Sequence, residues 1–128
     1  MKLLLDTLVL LWAAGTPERL SPKLRTLIAS PESQLFFSVA SLWEIVIKHG
    51  LGRSDFRVDA SRLRRRLVEN GYDELPIAGE HAIAVRSLPH LHEDPFDRML
   101  VAQAISEGLT LITADKAVAR YPVSILSA

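Results

Sequence analysis

MKLLLDTLVLLWAAG, residues 1–15, admits two readings, and the choice between them decides the fold. A basic residue, an apolar run and small residues near its end imitate a secretory leader. Asp6 interrupts that run, and a carboxylate at the centre of a membrane-inserted segment costs about 2.5–3.5 kcal/mol. The other reading makes Lys2 to Leu5 a short buried strand that stops at a polar edge, Asp6, and Thr7 to Ala14 a helix closed by Gly15 and Pro17. We adopt the second, and with it the expectation of an unprocessed, cytoplasmic chain. No other apolar run approaches the roughly 20 residues that span a bilayer, so no membrane association is expected.

The strand-then-helix pattern continues. Ser21-Pro22 predicts a helix start, with Leu24, Leu27 and Ile28 as its apolar positions, ending near Ser30-Pro31. Leu35 to Ser38 is a compact strand, and Val39 to Leu51 a helix stopped by Gly50 and Gly52. Asp59 to Asn70 is a helix with Leu63 and Leu67 one turn apart, closed by Gly71. A short strand over Leu75 to Ile77, a helix over Glu80 to Leu88 and an amphipathic helix over Phe96 to Glu107 follow, the last ended by Gly108. Leu109 to Thr113 predicts a strand, Asp115 to Arg120 a helical turn and Val123 to Leu126 a final strand. Strands that are apolar throughout, alternating with helices, predict an α/β fold: a three-layer α/β/α sandwich around a mostly parallel central sheet.

At 128 residues and 48% hydrophobic content the chain suits one core, so a single domain over residues 1–128 is expected. Fifteen basic and fifteen acidic side chains cancel, which leaves no global positive field; nucleic acid could be held only by a local patch. The absence of cysteine removes disulfides, thiolate zinc sites and cysteine nucleophiles, and suits a reducing compartment.

In parallel sheets ligands bind beyond the carboxyl ends of the strands, near the point where strand order reverses. Asp6 closes the first predicted strand and Asp115 follows LITA at the end of a later one, while Glu44 and Asp97 fall in first turns of helices that begin at the same rim. The topology therefore predicts convergence of all four. Taken singly, most have structural explanations. Ser41-Leu42-Trp43-Glu44 reads as a capping box and Glu44–Lys48 as a one-turn ion pair. Asp94 before Pro95 reads as an N-cap, Asp97 complements a helix dipole, and Asp115 caps the turn after it. Asp6 has no such account, because a partnerless buried carboxylate is expensive. Two ionised carboxylates about 5 Å apart repel by roughly 3 kcal/mol at an effective dielectric near 20. A cluster of them must hold protons or a hard cation, and an oxygen-only set favours magnesium or manganese over zinc.

LLLDTLVLLWA (residues 3–13), SVASLWEIVIK (38–48), HEDPFDRMLVAQA (92–104) and LITADKAV (111–118), in this order and at these separations, resemble PIN-domain ribonucleases. Within that family the chain is most similar to VapC-type toxins of bacterial type II toxin–antitoxin pairs. The resemblance extends over essentially the whole chain and implies a PIN-like fold. It implies that Asp6, Glu44, Asp97 and Asp115 are catalytic and hold Mg2+, with Mn2+ as a substitute. Asp94 matches a supporting acid of the DPFD motif, and Thr113 a hydroxyl that orients water or a ligand. Leu8 departs from the pattern, which has a polar His or Asn after Asp-Thr; a hydrogen bond from that position to Asp6 or to substrate is missing here.

The resemblance further implies a magnesium-dependent endoribonuclease that hydrolyses phosphodiester bonds in structured cellular RNA, forms a homodimer and is inhibited by a VapB-type antitoxin laid across the active-site groove. The residues suggest where RNA phosphates would meet cations. Arg62, Arg64, Arg65 and Arg66 in SRLRRRL make a local basic patch, although a solvated helix face is the commoner meaning of such a run; Arg98 and Lys116, beside the acids, are better placed to meet a scissile phosphate or to balance charge. His90 and His92 lack further soft ligands and are read as polar loop residues, and Trp12, Leu42 and Trp43 as core. Two alternatives stand: a PIN-fold binding module without catalysis, and a phosphotransferase forming an aspartyl-phosphate on Asp6. The second usually wants another acid two positions after the nucleophile, where Leu8 stands.

Overall fold

The computed structural model describes residues 1–128, the side chain of residue 55 excepted. Lys2–Leu5 (β1) is the central strand of a five-stranded sheet completed by Gln34–Ser38 (β2), Asp73–Leu75 (β3), Thr110–Thr113 (β4) and Ile125–Ser127 (β5). The order is β3-β2-β1-β4-β5 and every pairing is parallel. The helices are Thr7–Gly15 (α1), Pro22–Ala29 (α2), Val39–Gly50 (α3), Ala60–Glu69 (α4), Gly79–Ala84 (α5) and Pro95–Glu107 (α6). Alternate residues of β1 enter different cores. Leu3 and Leu5 pack with Val9, Leu10, Leu24 and Leu63 on one side, and Leu4 packs with Leu100, Val101 and Leu111 on the other. A strand covered on both faces must be apolar throughout, which is why KLLL lacks alternation. The three-layer α/β/α architecture is as expected, with a sheet that is wholly parallel.

The chain steps outward from β1 through β2 to β3, then returns to place β4 on the other flank of β1. Strand order therefore reverses between β1 and β4, opening a crevice at their carboxyl ends. Register puts Leu5 opposite Ile112, and the Asp6 N–H donates to the Ile112 carbonyl at 3.0 Å. Asp6 is thus held by the sheet and also caps α1, its Oδ1 accepting from the Val9 N–H at 2.9 Å.

Several elements differ from expectation for local reasons. β3 occupies Asp73–Leu75, upstream of the predicted Leu75–Ile77, because an edge strand tolerates the polar pair Asp73-Glu74. β5 begins at Ile125 instead of Val123. The predicted Glu80–Leu88 helix is α5 followed by a 3-10 turn over Val85–Ser87. The turn predicted from Asp115 is a 3-10 turn over Val118–Arg120, with Asp115 accepting from the amides of Ala117 and Val118. Ser38, not Ser41, caps α3 by accepting from the Ala40 N–H, so the predicted capping box does not form and Glu44 lies in the second turn. Trp43 is 58% exposed, whereas Trp12 and Leu42 pack against the core. Among the described residues no helix is long and apolar enough to cross a membrane.

α6 anchors the rim. Asp94 caps it by accepting from the amides of Phe96 and Asp97, and Gly108 at φ 66° ends it in the left-handed conformation. Buried among the apolar residues of this helix is Gln103, whose Oε1 accepts from Ser38 Oγ at 2.5 Å and whose Nε2 donates to the Pro76 carbonyl at 3.2 Å. One amide therefore ties α6 to the end of β2 and to the segment after β3. Gln103→Leu would leave a buried hydroxyl and carbonyl without that partner, so differential scanning calorimetry should show a loss of about 1–3 kcal/mol, a Tm drop of several degrees.

Candidate metal-binding active site

The crevice between β1 and β4 is a pocket of about 340 Å³ lined by Asp6, Glu44, Asp94, Asp97 and Asp115 together with the basic side chains Lys48, Arg53 and His92. Each acid arrives by a different route. Asp6 ends β1, Glu44 stands on the pocket side of α3, Asp94 and Asp97 flank the start of α6, and Asp115 follows β4. All four acids expected to hold a metal reach one place, and the N-cap Asp94 joins them.

Burial and crowding act on their protons. Asp6 is raised to about 6, chiefly by burial; hydrogen bonds from Thr113 and Val9 work against that, and the Glu44 charge adds to it. Asp97 is raised to about 7 by burial first, then by the charges of Asp94, Glu44 and Asp6. Asp115 is lowered despite burial, because His92 and the amides of Val118 and Ala117 donate to it. Glu44 is nearly inaccessible, with Oε1 accepting from Thr7 Oγ1 at 2.5 Å and Oε2 paired with Lys48.

Two basic side chains, Lys48 and His92, offset the acids. Lys48 contacts Glu44 and reaches Asp94 Oδ2 at 3.5 Å. His92 was read from sequence as a loop residue, yet its Nε2 lies 3.0 Å from Asp115 Oδ2 and 3.4 Å from Asp97 Oδ2. Its Nδ1 accepts from the Asp94 N–H at 2.9 Å, which places the ring proton on Nε2, facing the carboxylates. Burial alone would lower the His92 pKa; the Asp115 hydrogen bond and the surrounding acids outweigh it and raise it. The sequence signal was the spacing of His92 to Asp94, which lets the ring accept from the N-cap amide, but that spacing is too generic to decide without coordinates.

Other expected residues lie elsewhere. Arg98 does not face the pocket: it is buried, donating to the carbonyls of Pro89 and Val85 and to the Tyr121 hydroxyl, and so braces the loops beneath α6. Arg62, Arg65 and Arg66 stand on α4 and line no part of the pocket; Arg66 donates to the Ala14 carbonyl, and Arg64 of the same run pairs with Glu74. Their helix turns Leu63 and Leu67 into the core and the arginines outward. Lys116 is exposed beside Asp115, also outside the pocket lining. Thr113 is buried at the end of β4, accepting from the Asp115 N–H. Leu8 lines the pocket and also an adjoining groove with Leu11, Trp12, Arg19 and Arg66.

The donor set fits a hard divalent ion: oxygen ligands, excess negative charge and two carboxylates that give up protons near neutrality. A second cluster, Glu80, His81 and Glu107, does not fit one. His81 Nδ1 accepts from the Ala78 N–H at 2.9 Å, so the buried, unpartnered Nε2 carries the proton and offers no lone pair.

An acidic pocket at the topological switch point of an α/β/α sheet lies where such sheets bind ligands, and its carboxylates suit a divalent cation. The sequence signature of the PIN domain matches residues 3–123, and the chain belongs to the PIN-domain family, a family of nucleases. No individually curated protein matches it in sequence. Solved structures match its fold at low identity. VapBC2 from Rickettsia felis, bound to a DNA fragment from its promoter, matches with 16% identity, covering 99% of this chain and 98% of that one, at a TM-score of 0.71. DNA-bound VapBC from Salmonella typhimurium is 19% identical with the same coverage and a TM-score of 0.65. A toxin–antitoxin complex from Klebsiella pneumoniae is 21% identical over 96% of this chain and 94% of that one, at a TM-score of 0.61.

The raised acids make a pH signature. A carboxyl whose folded pKa exceeds its unfolded value contributes stability that is fully present below the unfolded value, about 3.9, and is lost as pH rises through the folded one. For Asp97 that window runs from about 4 to about 7. Asp97→Asn should therefore raise the metal-free Tm, and by more at pH 8 than at pH 5, the difference being on the order of 2 kcal/mol. Equal effects at both pH values in thermal melts would show that Asp97 carries no such burden.

Proposed function

We propose that the chain is a magnesium-dependent endoribonuclease, with manganese as a substitute, and the cytoplasmic toxin of a type II toxin–antitoxin pair that hydrolyses phosphodiester bonds in structured cellular RNA. The observation that carries this reading is the gathering of Asp6, Glu44, Asp97 and Asp115 from separate elements into one pocket. Asp6 and Asp97 would hold the ion, and Glu44 and Asp115 would complete the site. When bound, the ion supplies charge neutralisation at a phosphoryl oxygen and lowers the pKa of a coordinated water. No side-chain nucleophile is then required.

The remaining residues orient this set. Thr7 donates to Glu44 and so holds one of its oxygens, leaving the other toward Lys48. Thr113 donates to Asp6 and accepts from the Asp115 amide, linking acids on neighbouring strands. Asp94 positions Asp97 by capping the first turn of α6. Arg53, whose guanidinium lies over the Phe56 ring at 5.8 Å, lines the pocket and offers a cation to the RNA backbone. Arg66 borders the groove that meets the pocket at Leu8 and extends that positive edge, while Arg62, Arg65 and Lys116 contribute only long-range attraction.

Two partners follow from the same reading. A VapB-type antitoxin would lay an apolar segment along the groove of Leu8, Leu11 and Trp12 and so block the pocket it adjoins. A second copy of the chain would cover the exposed Trp43 and Val46, three residues apart on α3, together with Phe96, whose ring meets Trp43 edge-on at 5.2 Å. Val46→Glu, placing charge in that apolar face, should convert a dimer to a monomer in sedimentation.

Asp6→Asn tests the catalytic reading. We expect loss of Mg2+-dependent RNA cleavage by more than about a hundredfold, with the fold retained by circular dichroism. Wild-type-like cleavage by Asp6→Asn would remove the metal mechanism. RNA binding by the wild type with no cleavage in Mg2+ or Mn2+ would instead identify a binding module that has lost catalysis.

A further inference from the structure

We infer that Lys48 is a resident cation of the acidic pocket that competes with the divalent ion for Glu44. This rests on the metal site proposed above and adds to it a residue of this chain that opposes metal entry. The sequence offers only a Glu–Lys pair one turn apart, ordinarily a solvated surface contact worth a few tenths of a kcal/mol. The structure places it differently. The Lys48 side chain is 17% exposed and Glu44 5%, so the pair is removed from bulk solvent. The ammonium also reaches Asp94 Oδ2 at 3.5 Å and lies over two aromatic faces, Phe56 at 5.0 Å and Phe96 at 5.9 Å. Two carboxylates and two ring faces form a cation cage within the pocket itself.

Glu44 makes the competition unavoidable. One of its oxygens accepts from the Thr7 hydroxyl and the other is paired with Lys48, so both are engaged within the protein. A divalent ion that takes a Glu44 oxygen must displace one partner or share the carboxylate with it. The Thr7 hydroxyl is neutral and lies 2.9 Å from Ser41 Oγ, a second polar partner, so it is no rival for an incoming cation. Lys48 is a like charge at the same carboxylate, and its repulsion of the ion weakens loading while its attraction to Glu44 and Asp94 steadies the metal-free pocket. The aromatic cage and Asp94 leave the ammonium a place to remain once Glu44 has been yielded.

The experiment is a calorimetric titration of Mn2+ into metal-free protein without RNA, for the wild type, Lys48→Met and Lys48→Arg, together with thermal melts. Methionine keeps the aliphatic length between the rings and removes the charge; arginine keeps the charge. We expect Lys48→Met to bind Mn2+ about tenfold more tightly, the scale of one like charge removed from a partly buried site. Its metal-free Tm should fall below the wild type and recover on Mn2+ saturation, while Lys48→Arg stays near the wild type in both measurements. Should metal-free Lys48→Met fail to fold, the Mn2+ concentration that restores folding reports the same affinity. Unchanged or weaker Mn2+ binding by Lys48→Met overturns the inference. Absence of Mn2+ binding by the wild type is a separate outcome, which removes the metal site itself.

Discussion

Repulsion among carboxylates at the carboxyl edge of the sheet is the constraint on which the rest of this structure depends. Five acids line one pocket, and at separations near 5 Å each ionised pair opposes the fold by roughly 3 kcal/mol at an effective dielectric of about 20. No local propensity places them together. They are forced there by pairings far away: β1 beside β4, and helices whose apolar faces leave them no other position. The molecule answers by holding the Asp6 and Asp97 carboxyls above their ordinary pKa range, with Lys48 on Glu44 and with His92 between Asp97 and Asp115. Each answer supplies part of the charge compensation that a divalent ion would bring.

Rigidity follows from making the acids structural as well as chemical. Asp6 caps α1 while its amide is tied to β4; Asp94 caps α6 while meeting Lys48. A carboxylate that also ends a strand or starts a helix has few rotamers left, so little conformational entropy is lost when a ligand engages it. The isolated explanations weighed from sequence were therefore correct for Asp94 and Asp115 as caps without excluding a shared site. Capping and convergence are the same geometry seen at two scales.

Sequence carried the fold well where burial is two-sided. KLLL and TLIT are apolar throughout because both faces are covered, and their spacing to the helices leaves few topologies. It did poorly at the edge strands β3 and β5, which are short, partly polar and set by their neighbours' register. The four acids were legible because a parallel sheet brings strand ends and helix starts to one rim. The cations were not. Arg98, adjacent in sequence to Asp97, turns to the opposite side of α6 and is consumed by carbonyls, since neighbouring helix residues diverge by about 100°. Lys48 and His92, which do reach the pocket, carry only generic marks in sequence: a helix pair and a loop histidine. The arginine run is the outward face of α4, the commoner meaning of such a run in sequence. Density of charge along the chain says little about where the chain turns it.

That distribution also orders the binding events. A nucleic-acid backbone approaching this acidic pocket meets like charge, and Lys48 and Arg53 do not cancel it. The chain's overall neutrality supplies no compensating field. A divalent ion changes the balance by adding positive charge where the phosphate must come closest. The reciprocal also holds, since any backbone phosphate that is favoured by the ion must in turn favour the ion by the same factor. Under the proposed function, metal and RNA would therefore be coupled ligands of one pocket through electrostatics.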